Sequence, residues 1–230
     1  MRGMKILVTL AVVVALLAGG ADAATHVTSS STSTVTVTGN GTVTAVPDQA
    51  SFSFTVQTKA VTAAAALARN GNDTKAVIAA VEAAGVPEAN IQTAQVSLNP
   101  VVSNDGTSIV AYTAFDTITV TKLAIAKAGS VVDAAVGAGA TDVSGPSLEL
   151  SGQDALYNKA LKDAVANAKS KAQALADAAG RNLGDVVSIV EGGGAVPVPF
   201  AVGAAKDAST PIEPGTQDVQ ATVTVTYALN

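Results

Sequence analysis

The chain has 230 residues, with 13 Lys and Arg against 18 Asp and Glu for a formal net charge of −5, one His and no Cys. This composition excludes disulfides, Cys-His and Ser-His-Asp catalysis, most zinc sites and haem ligation. A mildly acidic balance without a basic run also excludes nucleic acid and anionic membrane surfaces as partners. With 3% aromatic residues and no Trp, Ala, Val, Leu and Ile must build the core.

In chain order, Arg2 and Lys5 precede an uncharged run from Ile6 to Ala18, followed by Gly-Gly-Ala-Asp-Ala. Charged, apolar and small residues in that order predict a secretory signal over residues 1–23, cleaved after Ala21-Asp22-Ala23. The run falls short of the roughly 20 apolar residues that span a bilayer. The mature chain is therefore expected to be extracytoplasmic, periplasmic or secreted, with no membrane span. Residues 24–34 read as a Ser/Thr-rich leader. His26 lies inside it, so neither a ligand nor a catalytic role is assigned to that residue.

From Val35, apolar residues alternate with Thr to Ala45, which predicts a strand with one apolar and one Thr-lined face. Asn40-Gly41 resembles a two-residue hairpin, but that turn would set Val37 opposite Thr44 and mix the faces. Either one long strand bends at the glycines or a three-residue Gly-Asn-Gly loop joins two short ones. Pro47-Asp48 marks a turn, and Phe52, Phe54 and Val56 alternate in the next strand. A helix is predicted from about Val61 to Ala84, with a stripe of Ala64, Leu67, Gly71, Thr74, Ile78 and Val81. Gly85 caps it and Pro87 prevents its return.

Strands are predicted over Ile91–Val102 and Ile109–Thr121, separated by a Ser103–Gly106 turn. A shorter helix follows over Leu123–Val136, then a strand over Asp142–Leu150. The longest helix runs about 28 residues from Ser151. Ser151 and Asp154 have the form of a capping box. Tyr157, Leu161, Val165, Ala168, Ala172, Leu175 and Ala179 draw its apolar stripe. Gly180 ends that helix, and strands follow over Asp185–Val190 and Val219–Leu229. A unit of helix, glycine cap and strand recurs at Ala84-Gly85, Ala138-Gly139 and Ala179-Gly180. The pattern is α+β: antiparallel sheets with Thr-lined wet faces, packed against two long helices and one shorter one.

Between the last two strands, Gly192–Thr216 is too rich in Gly and Pro for a helix or central strand. Its apolar stretch Val196, Pro197, Val198, Pro199 and Phe200 suits a partner contact. The Ala-rich helices permit close approach within a subunit or between subunits. No phosphate-binding glycine loop or calcium loop is present, and no cofactor or metal is expected. The carboxylates Asp48, Asp105, Asp116, Asp142, Glu149, Asp154 and Glu191 leave a hydrolase as a lesser alternative. Asp48 and Asp105 lie in turns, however, and nothing in the sequence pairs the others. Asn40-Gly41-Thr42 and Asn72-Asp73-Thr74 match the glycosylation sequon, which matters only in hosts that use it.

Together, the run from Val35 to Ala50, Ile91-Gln-Thr93, Leu98-Asn-Pro100, Tyr112, Gly139-Ala140, the Lys-Ala repeats of Ala164–Gly184 and Pro211–Gly215 resemble the SIMPL-domain family of bacterial exported proteins. The resemblance covers essentially all of Val35–Leu229. Two departures are Val101-Val102 in place of a usual Tyr, and Phe115-Asp116-Thr117 where the family tends to carry Asn. The resemblance implies an α+β fold, export and, in some members, large ring-like or hollow oligomers with loose links to envelope and oxidative stress. It implies no reaction. The expectation is a non-enzymatic exported protein that self-associates into a homo-oligomer. A monomeric module binding a small ligand or an envelope protein partner is the alternative.

Overall fold

The Val/Thr alternation produces long paired strands. The computed structural model describes residues 33–193, 198–200 and 212–230. The expected signal segment, most of the leader and His26 lie outside them. In chain order the elements are β1 (Thr34–Ala45), β2 (Gln49–Ala60), α1 (Ala63–Ala83), β3 (Ile91–Val102), β4 (Ile109–Ala124), α2 (Ile125–Gly137), β5 (Asp142–Glu149), α3 (Gln153–Ala178), β6 (Leu183–Gly192), β7 (Val198–Phe200) and β8 (Thr216–Leu229). The fold is α+β. One antiparallel sheet has the order β1-β8-β6 with β7 also on β8, and the other has the order β3-β4-β2-β5.

An unbroken register joins β1 to β8, from Thr34 opposite Ala228 to Ala45 opposite Gln217. Asn40-Gly41 therefore makes no turn, and β1 is one strand. The glycines serve a different purpose, since α3 crosses β1 directly above them. A Cβ on Gly39 would stand 2.1 Å from the Ala164 carbonyl oxygen, and one on Gly41 would stand 2.0 Å from that of Ala160. Real Cβ atoms do not approach so closely, so only glycine fits.

The close approach also decides which face of α3 is buried. Ala160, Ala164, Ala168, Ala172 and Ala176 are fully covered. They form a strict i, i+4 ridge of methyl groups, inclined to the helix axis. The expected stripe is corrected in part. Ala168 and Ala172 belong to the ridge, but Leu175 is 51% exposed and Ala179 is exposed. Tyr157, Leu161 and Val165 flank the ridge, half-buried, because a side chain larger than methyl cannot fit between helix and strand at this distance. In α1 the buried face is Ala66, Asn70, Thr74, Val77 and Val81. Thr74 and Val81 match the expected stripe, whereas Leu67 and Ala64 point to solvent.

The second sheet carries the larger core. Phe52, Phe54 and Val56 of β2 and Ile118 and Val120 of β4 pack against Val77 and Val81 of α1 and Val131 of α2. The opposite face of this sheet is lined by hydroxyls, as the alternation predicts: Thr55 and Thr117 meet at 2.9 Å, as do Thr36 and Thr226 on the first sheet.

The expected capping box does not form. The N-cap of α3 is Gly152, with no side-chain cap. Ser151 instead donates its hydroxyl and its backbone N–H (2.8 Å) to the Asp48 carboxylate. Asp48 also donates its own N–H to the Glu149 carbonyl and accepts from Ile125 N–H through its carbonyl. One turn residue thus ties β5 and the starts of α2 and α3 together, and the Ser151 bonds hold its carboxyl below the usual range.

Two outcomes follow. Ala168→Leu is expected to cost about 1–3 kcal/mol by overpacking, while Leu175→Ala stays within about 0.5 kcal/mol, both read from urea unfolding midpoints. Asp48→Asn should destabilise the fold at pH 7. Because the native carboxyl is depressed, its contribution exists above the unfolded carboxylate value and is lost as pH falls through the folded one. The gap between wild type and variant should therefore close in thermal melts taken at progressively lower pH.

Candidate interaction surface

Each sheet has two outer edges, and an uncovered edge invites another strand. Three of the four are blunted. On β1, Asn167 of α3 accepts from the Asn40 N–H at 3.2 Å, and Lys171 donates to the Thr38 carbonyl at 2.8 Å. Both groups point away from β8, so the helix that packs on the glycines also caps the strand's free side. On β5, Pro146 removes a donor from a strand of eight residues. On β3, Pro100 does the same, and the register slips between Thr93 and Gln95.

The fourth edge, β6, is interrupted only by register shifts between Leu183 and Val186 and between Val186 and Ser188. It contains neither Pro nor Lys, and α3 lies over β1 and β8 while barely reaching it. Val186, Val187, Ile189 and Val190 are each between 48% and 58% exposed. A short continuous apolar run ordinarily marks a strand covered on both faces. Here, among the described residues, no element covers either face fully.

An open groove of about 590 Å³ runs between α3 and the start of β6, with Val165, Lys169 and Gln173 on one wall and Leu183, Gly184, Asp185 and Val186 on the other. Further along β6, Tyr157 of α3 donates its hydroxyl to Glu191 at 2.6 Å. That bond holds the phenol above its usual range, with desolvation adding to the effect.

The expected contact segment falls partly outside the described residues, which do not include Val196 and Pro197. Val198, Pro199 and Phe200 form β7, opposite Asp218, Gln217 and Thr216 of β8. Because Gln217 also pairs with Ala45 of β1, β7 lies on the side of β8 that β6 occupies further along. A proline-bearing segment thus serves as an edge strand, the one sheet position that tolerates it. Sequence reasoning missed β6 as a surface because its apolar run reads as core.

A second polar feature lies under α1. Asn70 is buried and donates to the Val56 carbonyl at 2.8 Å. One turn on, the Thr74 hydroxyl is buried beside Asp116 of β4, and neither Thr74 Oγ1 nor Asp116 Oδ1 meets a hydrogen-bond partner among the described residues. Burial pushes the Asp116 carboxyl up, and the neighbouring Thr74 hydroxyl opposes that only in part.

The SIMPL family model, "Protein of unknown function (DUF541)", matches residues 35–227, a span that includes β6 and all the strands paired with it. The chain belongs to the SIMPL family. It is 32% identical over 198 residues to the 26 kDa periplasmic immunogenic protein of Brucella melitensis, covering 80% of this chain and 79% of that protein. The Brucella abortus protein of the same name matches equally. The uncharacterized protein YggE of Escherichia coli K12 is 33% identical over 146 residues, 63% of this chain and 59% of its own length. Among the described residues no helix is long and apolar enough to cross a membrane.

Asp116 stands where the SIMPL resemblance favours Asn, and the burial predicts what that change does. A carboxyl with a raised folded pKa destabilises the fold once pH exceeds the unfolded value near 3.8 and does so fully above the folded one. Asp116→Asn should therefore raise the melting temperature at pH 7 and leave it unchanged near pH 3. An equal gain at both pH values would show that the carboxylate charge is not the cause.

Proposed function

We propose that this SIMPL-domain chain is a non-enzymatic extracytoplasmic protein that works by associating with itself. The observation that carries the reading is β6, an edge strand without Pro or Lys whose Val186, Val187, Ile189 and Val190 stay about half exposed. Export is supported by the signal-like residues 1–23 and by the periplasmic names of the Brucella relatives. The segment Val196–Phe200, whose strand part continues the β6 side of β8, is proposed as an additional contact. A role at the envelope or in oxidative stress rests on the family resemblance alone.

The absence of an enzymatic role is supported by how the carboxylates are used. Asp48 is engaged by Ser151, Glu149 by Ser51 and Glu191 by Tyr157. Ser103 and Thr107 hold Asp105, pulling its pKa down to about 2. Asp48 and Glu149 are neighbours, joined by Asp48 N–H and the Glu149 carbonyl, but a serine hydroxyl takes each carboxylate, so they are not left free as the acid and base pair that glycoside hydrolysis requires.

A second reading, a monomeric module that binds a small ligand, is favoured by the groove between α3 and β6, whose volume falls in the range of ligand clefts. Light scattering behind a sizing column, on residues 24–230, separates the two. A mass of two or more chains is the expected result. A single-chain mass across the whole concentration range would remove the self-association reading and leave the groove as the functional feature.

A further inference from the structure

We infer that the N-terminal half of α1 is a flap that opens from its sheet as a local unit, and that the charge of Asp116 beneath it sets how often it opens. The inference stands apart from the self-association reading, because it concerns one helix within a single chain.

The two halves of α1 are held differently. Toward the C-terminus Val77 and Val81 are fully buried, and Ile78 packs against the same core of Phe52, Phe54 and Ile118. From Ala63 to Thr74 the buried positions are Ala66, Asn70 and Thr74, a methyl group and two polar side chains, none of which belongs to that apolar core. Leu67, the one large apolar residue of this half, is 41% exposed. Two side-chain hydrogen bonds hold the half down. The Thr58 hydroxyl donates to the Ala66 carbonyl at 2.9 Å, and the Asn70 amide donates to the Val56 carbonyl at 2.8 Å. Such bonds replace bonds to water, so their net hold is modest.

Where the halves meet, Asn70-Gly71-Asn72-Asp73-Thr74 is an unbroken run of residues that rank low in helix propensity. A Cβ on Gly71 would meet nothing within 4 Å, so packing does not demand a glycine there. Few buried apolar contacts and a weak run in mid-helix are the properties of a unit that opens locally.

Asp116 supplies the control. On β4 it stands between Val56 of β2 and Val96 of β3. Its Oδ1 and the Thr74 hydroxyl are buried without a hydrogen-bond partner among the described residues. On the same face β2 presents Val56 and Thr58, while Lys59 points to the other side. β3 carries no charged residue, and Tyr112 shares the face along β4. On α1, Arg69 and Asp73 pair with each other at 3.7 Å, and Lys75 is exposed. Among the described residues no cation pairs with the Asp116 carboxylate, so lifting the flap returns its charge to water. Burial raises this carboxyl above its ordinary value. The closed state is therefore firmest in acid and weakens as pH rises through the folded value.

The test is native-state hydrogen exchange by NMR on residues 24–230, corrected for the intrinsic pH dependence of exchange. At pH 7 the amides of Leu67–Asp73 should be at least about ten-fold less protected than those of Val77–Ala83. Lowering the pH to about 4 should raise protection of the first group at least about two-fold and leave the second without a gain. Asp116→Asn should give the acid-like protection at pH 7 and abolish the pH dependence. Gly71→Ala should reduce opening about four-fold, because alanine meets no clash there and favours the helix. Uniform protection along α1 overturns the flap. A weakly protected half that ignores both pH and Asp116→Asn overturns the control by Asp116.

Discussion

The contact between the alanine ridge of α3 and the two glycines of β1 is the constraint on which the first sheet depends. With backbone and methyl groups filling the gap at Gly39 and Gly41, the helix sits so close that its flanks reach past the strand. On one flank Asn167 and Lys171 bond the outer backbone groups of β1. On the other, Tyr157, Leu161 and Val165 turn toward β6 without covering it. A helix held further from the sheet by Leu-sized side chains would stand over the strands without reaching their edges. The same close packing therefore closes one side of the sheet and leaves the other open.

That asymmetry gives the functional reading its physical content. Burial of apolar surface is the main favourable term in folding and association, and β6 keeps four β-branched side chains half in water. The other edges carry prolines or helix side chains, whereas β6 carries neither proline nor lysine, so a partner is the simplest explanation of its exposed apolar residues. The groove beside it widens the surface a partner would cover. On the second sheet α1 and α2 close the inner face over Phe52, Phe54 and Ile118.

The buried polar atoms under α1 show a different kind of choice. Asn70 is satisfied by a strand carbonyl and fixes how α1 sits on β2. Thr74 and Asp116 lack that satisfaction, and a carboxyl in this position favours its neutral form. The fold accepts this local cost within a core that is otherwise apolar and well filled.

Much of the architecture was legible in the sequence because it rests on local periodicity. Alternation at Val35–Ala45 and at Phe52–Val56 marked the strands and their wet hydroxyl faces. The glycines at 85, 139 and 180 ended the helices, and the combination of motifs placed the chain in its family. Helix faces were read less well. An apolar moment weights Leu67 and Leu175 above alanine, whereas burial in α3 was decided by how near the strand lies, which depends on glycines more than a hundred residues away. Ser151 looked like a cap because its spacing to Asp154 is local, yet its partner is Asp48, brought close only by the fold. By itself the sequence determined the elements, their wet and dry sides and the family. Only the tertiary structure decided which apolar residues are core and which are surface, because burial belongs to what lies opposite a side chain in space. For β6, among the described residues, no helix packs over Val187 and Val190, which stay more than half exposed.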